Sequence, residues 1–482
     1  VARLGVSREK VFNDFSAWYN DVIEQAGIID KRYPVKGMLV WRPYGLRIVR
    51  AIEKIIREEV EKTGHQEVLF PVLIPEDEFN KEAEHIEGFG NQVYWVTHTG
   101  ETPLEKRLLL RPTSETAIYP VYALWIRSHK DLPLKLYQIV PVFRYETKHT
   151  RPIIRQRELS HFFEAHTAHA SPEQAEAQIL EDVEIMGVLC EKLCIPFLCH
   201  RRPDWDKFAG AVYSIGVDTI LPDGRVLQIG GIHNYLQNFA KPYNITYETE
   251  DGGHEYVYQT TYGMSERLLA SLIALHGDDH GLVLPPQIAP VQVVVIPILY
   301  KDQNQEKILE QVETCKKKLL SGGLRVEVDT REDRPGSKFY DSELRGIPIR
   351  LEIGPRDVKL GQVVVVRRDT LERVATPVNN LLDGVRKTMD DMTRDMREKA
   401  WRTVRDRVRK VGGLDEAVRE LETGGGIVQV EWCGSETCGH RLEDETGASV
   451  LGLPYPEQPT PLNSCVVCRS KSKHVVSLAK TY

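Results

Sequence analysis

The sequence lacks any apolar run approaching the roughly 18 residues of a membrane-spanning helix, so a membrane is not among the expected partners. Its opening stretch, VARLGVSREK, has no apolar signal core, and a cytoplasmic location is the expectation. Internal repeats and low-complexity tracts are missing too. There is no excess of positive charge: the net value is -7, which argues against gripping nucleic acid by bulk charge and sets DNA aside, although local basic surface can still hold RNA phosphates. Cysteine is scarce and uneven. Cys190, Cys194, Cys199 and Cys315 are scattered, whereas Cys433, Cys438, Cys465 and Cys468 form two close pairs, a spacing that in a cytoplasmic protein suggests metal before disulfide.

What is present fits a globular protein: 482 residues with 41% hydrophobic and 28% charged content, enough for two to four domains at about 150 residues each. Residues 1–286 mix amphipathic helices with apolar strands and hold most of the singular polar clusters, so they form the candidate catalytic domain. Within it, Ile48, Ile52, Ile55, Ile56 and Val60 share a helical face, and the strand-like EVLFPVLIP follows Gly64. From 287 to 388 strands alternate with a helix through Ile308, Val312, Cys315 and Leu319, the pattern of an α/β domain with a buried sheet. Apolar residues recurring from Leu382 through Val385, Met389, Met392, Met396, Val404 and Val408 predict a long helix, its interleaved charges a solvated face. The remainder, 389–482, is a small α/β unit carrying the cysteine quartet, opened by GGG at 424–426.

The densest chemistry lies in VFRYETKHTRPIIRQRELSHFFEAHTAH, residues 142–169. FRYE reads as a strand, KHTRP as a turn and the residues after Glu158 as a returning strand, so Arg144, Glu146, Arg155 and Arg157 are expected on one face of a hairpin. Surface ion pairing explains such a cluster equally well. Two other segments tilt the balance: RPTSETAIYP places Thr113 and Glu115 near a turn, and QTTYGMSERLL leads from Gly263 into a helix with Arg267 in its first turns.

On these residues the chain resembles the class II aminoacyl-tRNA synthetases. FRYE with its returning strand resembles motif 2, Gly263 to Arg267 motif 3, and EVLFPVLIP with Pro71 motif 1, while RPTSE and HGDDHGLVLPP resemble the prolyl-tRNA synthetases of archaeal and eukaryotic type. The resemblance covers nearly the whole chain in the family's order. It implies an α+β fold: an antiparallel-sheet catalytic domain, an α/β anticodon-binding domain and a small zinc-binding domain. It also implies activation of L-proline with ATP and transfer to tRNA(Pro) by a homodimer built on motif 1.

By the same resemblance Arg144 contacts the α-phosphate and the proline carboxylate, and Arg267 lies over the adenine. Glu146, Arg155 and Gln228 complete the ATP site, with Mg²⁺ on the phosphates. Thr113 and Glu115 match the pair that binds the proline amine, and Phe162, His166, Phe208 and His233 match positions around the ring. Phe162 stands where the family usually has tryptophan, Leu159 where it has phenylalanine, and ELSHFFEAH is one residue longer than the common form. The register of 159–163 is therefore open. Glu352 and Arg356 in RLEIGPRD match the segment near the anticodon guanines, against the plainer reading of a strand-end ion pair. Cys433-x4-Cys438 with Cys465-x2-Cys468 fits a four-cysteine structural zinc site. A threonyl or other class II enzyme, or a non-catalytic synthetase-like regulator, are the competing readings; RPTSE speaks against the first, and retention of both arginines against the second.

Overall fold

The computed structural model describes residues 14–81, 92–146, 149–299 and 305–482, so the start of the expected 148–152 turn lies outside the described residues. Helix α1, Pro43–Glu61, opens on a proline whose fixed φ suits the first turn, and buries Ile48, Ile52, Ile55, Ile56 and Val60 on one face. The strand expected after it is split. Residues Gln66–Glu67 form β1, whereas Leu73–Pro75 joins a separate three-stranded sheet. Pro71, between them, has no N–H to continue a ladder.

The centre of the molecule is an 11-stranded sheet. Its catalytic strands are β1, β2 (Leu134–Phe143), β3 (Glu158–His169), β4 (Leu198–Arg201), β5 (Tyr213–Ile220), β6 (Val226–Leu236) and β7 (Tyr258–Met264). They lie in the order β4-β5-β6-β7-β3-β2-β1, antiparallel except for the β1/β2 edge. In the β2–β3 hairpin, Val140 faces Phe162 but Val142 faces Leu159, so three steps on β3 oppose two on β2. The third step is taken up as a bulge around Ser160 and His161, which fixes how 159–163 pair with β2. Strand β2 ends at Phe143, so Arg144 and Glu146 stand just beyond it rather than within a strand. Helices α2 (Glu115–Trp125), α3 (Pro172–Lys192) and α4 (Arg267–His276) complete the frame, the last two packing on β6.

The middle unit is a five-stranded mixed sheet. Its strands are β8 (Val293–Pro297), β9 (Val326–Val328), β10 (Ile349–Ile353), β11 (Gln362–Arg367) and β12 (Arg373–Pro377), ordered β9-β8-β10-β11-β12. Helix α5, Gln305–Ser321, covers it with the four predicted apolar residues buried. Helix α6, Leu381–Arg405, runs straight through the boundary drawn at 388/389 and buries Val385, Met389, Met392, Met396 and Val404. One continuous amphipathic stripe therefore spans that boundary, and the two units share the helix.

The last unit starts well before the triple glycine, with β13 (Val408–Lys410), followed by β14 (Ile427–Trp432), β15 (Ser449–Tyr455) and β16 (His474–Ala479). Pairing of β15 with β4 fuses its strands into the central sheet. The glycines serve this junction: a Cβ on Gly425 would come within 2.7 Å of the Gly224 Cα, and Gly426 N donates to Gly224 O at 2.7 Å.

Candidate active site

A cavity of about 270 Å³ opens over β3, β5, β6 and β7. Four guanidinium side chains (Arg144, Arg155, Arg202, Arg267) and four carboxylates (Glu115, Glu146, Glu164, Asp206) line it. Thr113, Phe162, Phe208, Gln228 and His233 line it as well, so residues from across more than 150 positions of sequence meet there.

The arginines are fastened by carbonyl groups. Arg144 Nε donates to Pro112 O at 2.9 Å, Arg267 Nε to Ile154 O at 2.8 Å, and Arg267 Nη1 to Gln228 O at 3.1 Å. Carbonyls fix direction without cancelling charge. Burial lowers the pKa of both, that of Arg267 to about 10 with help from repulsion by Arg144 and Arg155. Three cations crowded together is the arrangement expected of a site awaiting an anion. Arg155 Nη2 donates to the Tyr482 main-chain oxygen at 2.7 Å.

The acidic end is built from α2. Thr113 Oγ1 donates to Glu115 Oε2 at 2.5 Å, and Tyr235 OH donates to Glu115 Oε1 at 2.7 Å. Beside this pair, the Phe208 and His233 rings lie 4.6 Å apart at 30°, and His233 Nδ1 meets Ser214 Oγ at 2.8 Å. Burial depresses the His233 pKa to about 4, so the ring is neutral at pH 7. Phe162 closes another wall with the Arg144 guanidinium 5.4 Å from its ring centre, while Phe163 points the opposite way into the core against Tyr137 and Tyr262.

Two expectations are corrected. His166 does not line the cavity; it is 1% exposed, edge-on to Tyr119, with Nε2 3.4 Å from Glu164 Oε2. It lies one pleat too far along β3, beneath α2. Arg157 also leaves the cluster: its guanidinium sits 3.9 Å over the Tyr145 ring and donates to Glu146 O. Glu164, which was not foreseen, lines the cavity instead. Burial opposes its ionisation, but hydrogen bonds from His166, Ser114 and Gln138 together outweigh that and hold its carboxyl below the usual range. Period-two alternation from Phe162 would have found it. Arg202, the other residue not foreseen, donates to Asp218 at 2.7 Å and to Leu451 O at 2.8 Å, tying the cavity to the last unit.

Known proteins resemble this arrangement along its whole length. Residues 94–276 match the tRNA synthetase class II core domain (G, H, P, S and T), 292–388 an anticodon binding domain, and 414–482 the prolyl-tRNA synthetase C-terminal domain. A proline–tRNA ligase of Pyrococcus abyssi is 56% identical over 480 residues, spanning 99% of this chain and 100% of the relative. One from Thermococcus kodakarensis is 55% identical with the same coverage. The chain belongs to the prolyl-tRNA synthetases. Among solved structures, the Giardia lamblia prolyl-tRNA synthetase in complex with prolyl-adenylate superposes with a TM-score of 0.95 at 36% identity, covering 99% of both chains. The Cryptosporidium parvum prolyl-tRNA synthetase complexed with halofuginone and AMPPNP gives 0.94 at 31%, with the same coverage.

Elsewhere in this synthetase, one atom each from Cys433, Cys438, Cys465 and Cys468 lies within 4.8 Å of the others, the Sγ of Cys433 and Cys468 being 3.7 Å apart. Four sulfurs at about 2.3 Å from a central ion in a tetrahedron stand nearly that far apart, so the donor set fits zinc. The anticodon candidates are not brought together as ligand contacts. Glu352 is 1% exposed and bonded to Arg350 (3.0 Å) and Arg373, which is the ion-pair reading, whereas Arg356 is exposed at the start of the short helix Pro355–Leu360.

Proposed function

We propose that this cavity joins proline to ATP, releasing pyrophosphate, and passes the prolyl group from the adenylate to the 3′ end of tRNA(Pro). The observation that carries this reading is the meeting of Arg144 and Arg267, both fastened by carbonyls, with the Thr113–Glu115 pair and the Phe208–His233 stack in one cavity. The proline carboxylate is ionised at pH 7 and attacks the α-phosphorus without a general base; alignment and charge neutralisation are the catalytic work. Arg144 bridges the carboxylate and the α-phosphate. Arg267, Arg155, Gln228 and Glu146 hold the nucleotide.

The proline amine is cationic, and the Glu115 carboxylate keeps lone pairs for it beyond those engaged by Thr113 and Tyr235. Neutral His233 can lie against the ring without repelling that amine, with Phe162 and Phe208 as the remaining walls. Cysteine differs too little in bulk to be rejected completely, since a missing methylene discriminates by about 1–3 kcal/mol.

Mg²⁺ belongs to the same reading: the oxygens of Glu146 and Gln228 are hard donors suited to it, and when bound it would add neutralising charge. Zinc on the four cysteines would have no open position and would act as a staple; one zinc per chain is expected by elemental analysis, lost in Cys465→Ser. A cytoplasmic homodimer completes the proposal. Leu69, Leu124 and Trp125 are 81%, 62% and 51% exposed around the segment like motif 1, an apolar patch that a second subunit would cover. Light scattering giving a monomer at micromolar concentration would contradict this. The middle unit is proposed to bind the anticodon, with Arg356 as its contact and Glu352 holding Arg373 in place.

ATP–pyrophosphate exchange with each of the twenty amino acids tests the activity. Proline should dominate, with cysteine or alanine weaker; exchange with none would favour a regulatory protein that keeps only the fold.

A further inference from the structure

Beside the substrate cavity lies a second one, of about 260 Å³, which adenylation as described leaves without a role. The two share Arg155 and Gln156, and none of Thr113, Glu115, Phe208 or His233 reaches the second. Among the described residues, Lys31, Lys36, Arg151 and Arg155 line it and no Asp or Glu does. Such a one-signed lining is unusual in a chain of net charge -7 and focuses a positive potential.

Contacts hold Lys31 and Arg151. Lys31 pairs with Glu24 at 3.3 Å, and Arg151 donates to Ser16 Oγ at 3.1 Å and lies 4.7 Å over the Tyr482 ring. Lys36 is carried by a loop pinned to the start of β3, where Arg157 N donates to Gly37 O at 2.8 Å. Gly37 has φ +80°, and a Cβ there would meet Arg157 Cγ at 2.8 Å, so the loop sits tight against the strand. At the junction, Gln156 is 4% exposed and its Oε1 has no hydrogen-bond partner. The two ends of an amide exchange by rotation about its last bond, so the same side chain can turn an N–H donor toward an anion.

We infer that this cavity receives pyrophosphate as it leaves the adenylation site, an inference that rests on the activity proposed above. In-line attack by the proline carboxylate expels pyrophosphate on the far side of the α-phosphorus. The second cavity adjoins Arg155, placed above among the residues that hold the nucleotide, none of the residues assigned to proline lines it, and its lysines and arginines complement a multiply charged polyphosphate.

The test uses the full chain with Lys31 and Lys36 both changed to glutamine; neither residue lines the substrate cavity. In ATP–pyrophosphate exchange at saturating proline, KM for pyrophosphate should rise roughly five- to tenfold while KM for ATP and proline stay within about twofold, with partial recovery in Lys31→Arg/Lys36→Arg. The rise should shrink as salt is added. An unchanged KM for pyrophosphate overturns the inference. An equal rise in KM for ATP overturns it too, giving the cavity to the bound triphosphate. A rise confined to KM for tRNA in charging assays assigns the basic lining to nucleic acid and equally overturns it. Failure of the underlying activity is a separate result, namely no proline-dependent exchange in the unaltered protein.

Discussion

Two of the places where arginine and glutamate cluster in this synthetase have opposite outcomes. In the anticodon-binding unit, Glu352 lies between Arg350 and Arg373, and Arg350 also reaches Glu343 at 2.7 Å, so opposite charges neutralise one another inside the fold. In the catalytic cavity, Arg144 and Arg267 are oriented by main-chain carbonyls, and the carboxylate of Glu115 by a threonine and a tyrosine hydroxyl. A main-chain carbonyl aims a guanidinium without neutralising it; a charged partner neutralises it in holding the fold together.

The comparison can be broken most forcefully at Arg144. Arg144→Ala should lower proline-dependent exchange by about 1000-fold, near 4 kcal/mol of transition-state stabilisation, whereas Arg350→Ala should leave exchange close to its original rate. Glu352→Ala reverses the pattern. It takes one of two carboxylate partners from the buried Arg350, which keeps Glu343, and should cost about 2 kcal/mol in denaturant unfolding while exchange by the folded enzyme is maintained. Glu115→Gln removes charge but little volume, and should raise KM for proline by roughly 30-fold, about 2 kcal/mol, with KM for ATP unmoved.

The smallest effect on substrate binding is in pH. Burial depresses His65, His169, His233 and His276 to about 4 from an ordinary 6.5. Their folded pKa values lie below the unfolded ones, so the stability they contribute is complete above pH 6.5 and is lost as pH falls from 6.5 toward 4. Unfolding followed against pH should show uptake of up to four protons in that window, while KM for proline stays flat as long as His233 is neutral.

Much of this was legible in the sequence. Apolar spacing gave α1, α5 and α6, the order FRYE, KHTRP and returning strand gave a hairpin whose first strand ends at Phe143 rather than running through FRYE, and the cysteine spacing gave a cluster that the structure assembles. Other features depend on contacts remote in sequence, which spacing does not encode. The fate of each arginine is one example: Arg144 and Arg157 flank the same turn, yet one meets Pro112 O and the other a tyrosine ring. Fusion of the last unit into the central sheet is another, since it depends on β15 finding β4, some 250 residues earlier. The bulge at Ser160 and His161 is a third, since only strand pairing could place it and thereby separate Phe162 from Phe163.

A crystal structure of the protein with a non-hydrolysable prolyl-adenylate analogue tests the central claim most directly. The account predicts the ring nitrogen within hydrogen-bond distance of Glu115, the ring against Phe208 and His233, and the phosphoryl mimic on Arg144 with Arg267 at the adenine. An analogue bound elsewhere, or one whose phosphoryl group lies out of reach of both guanidinium groups, would contradict it.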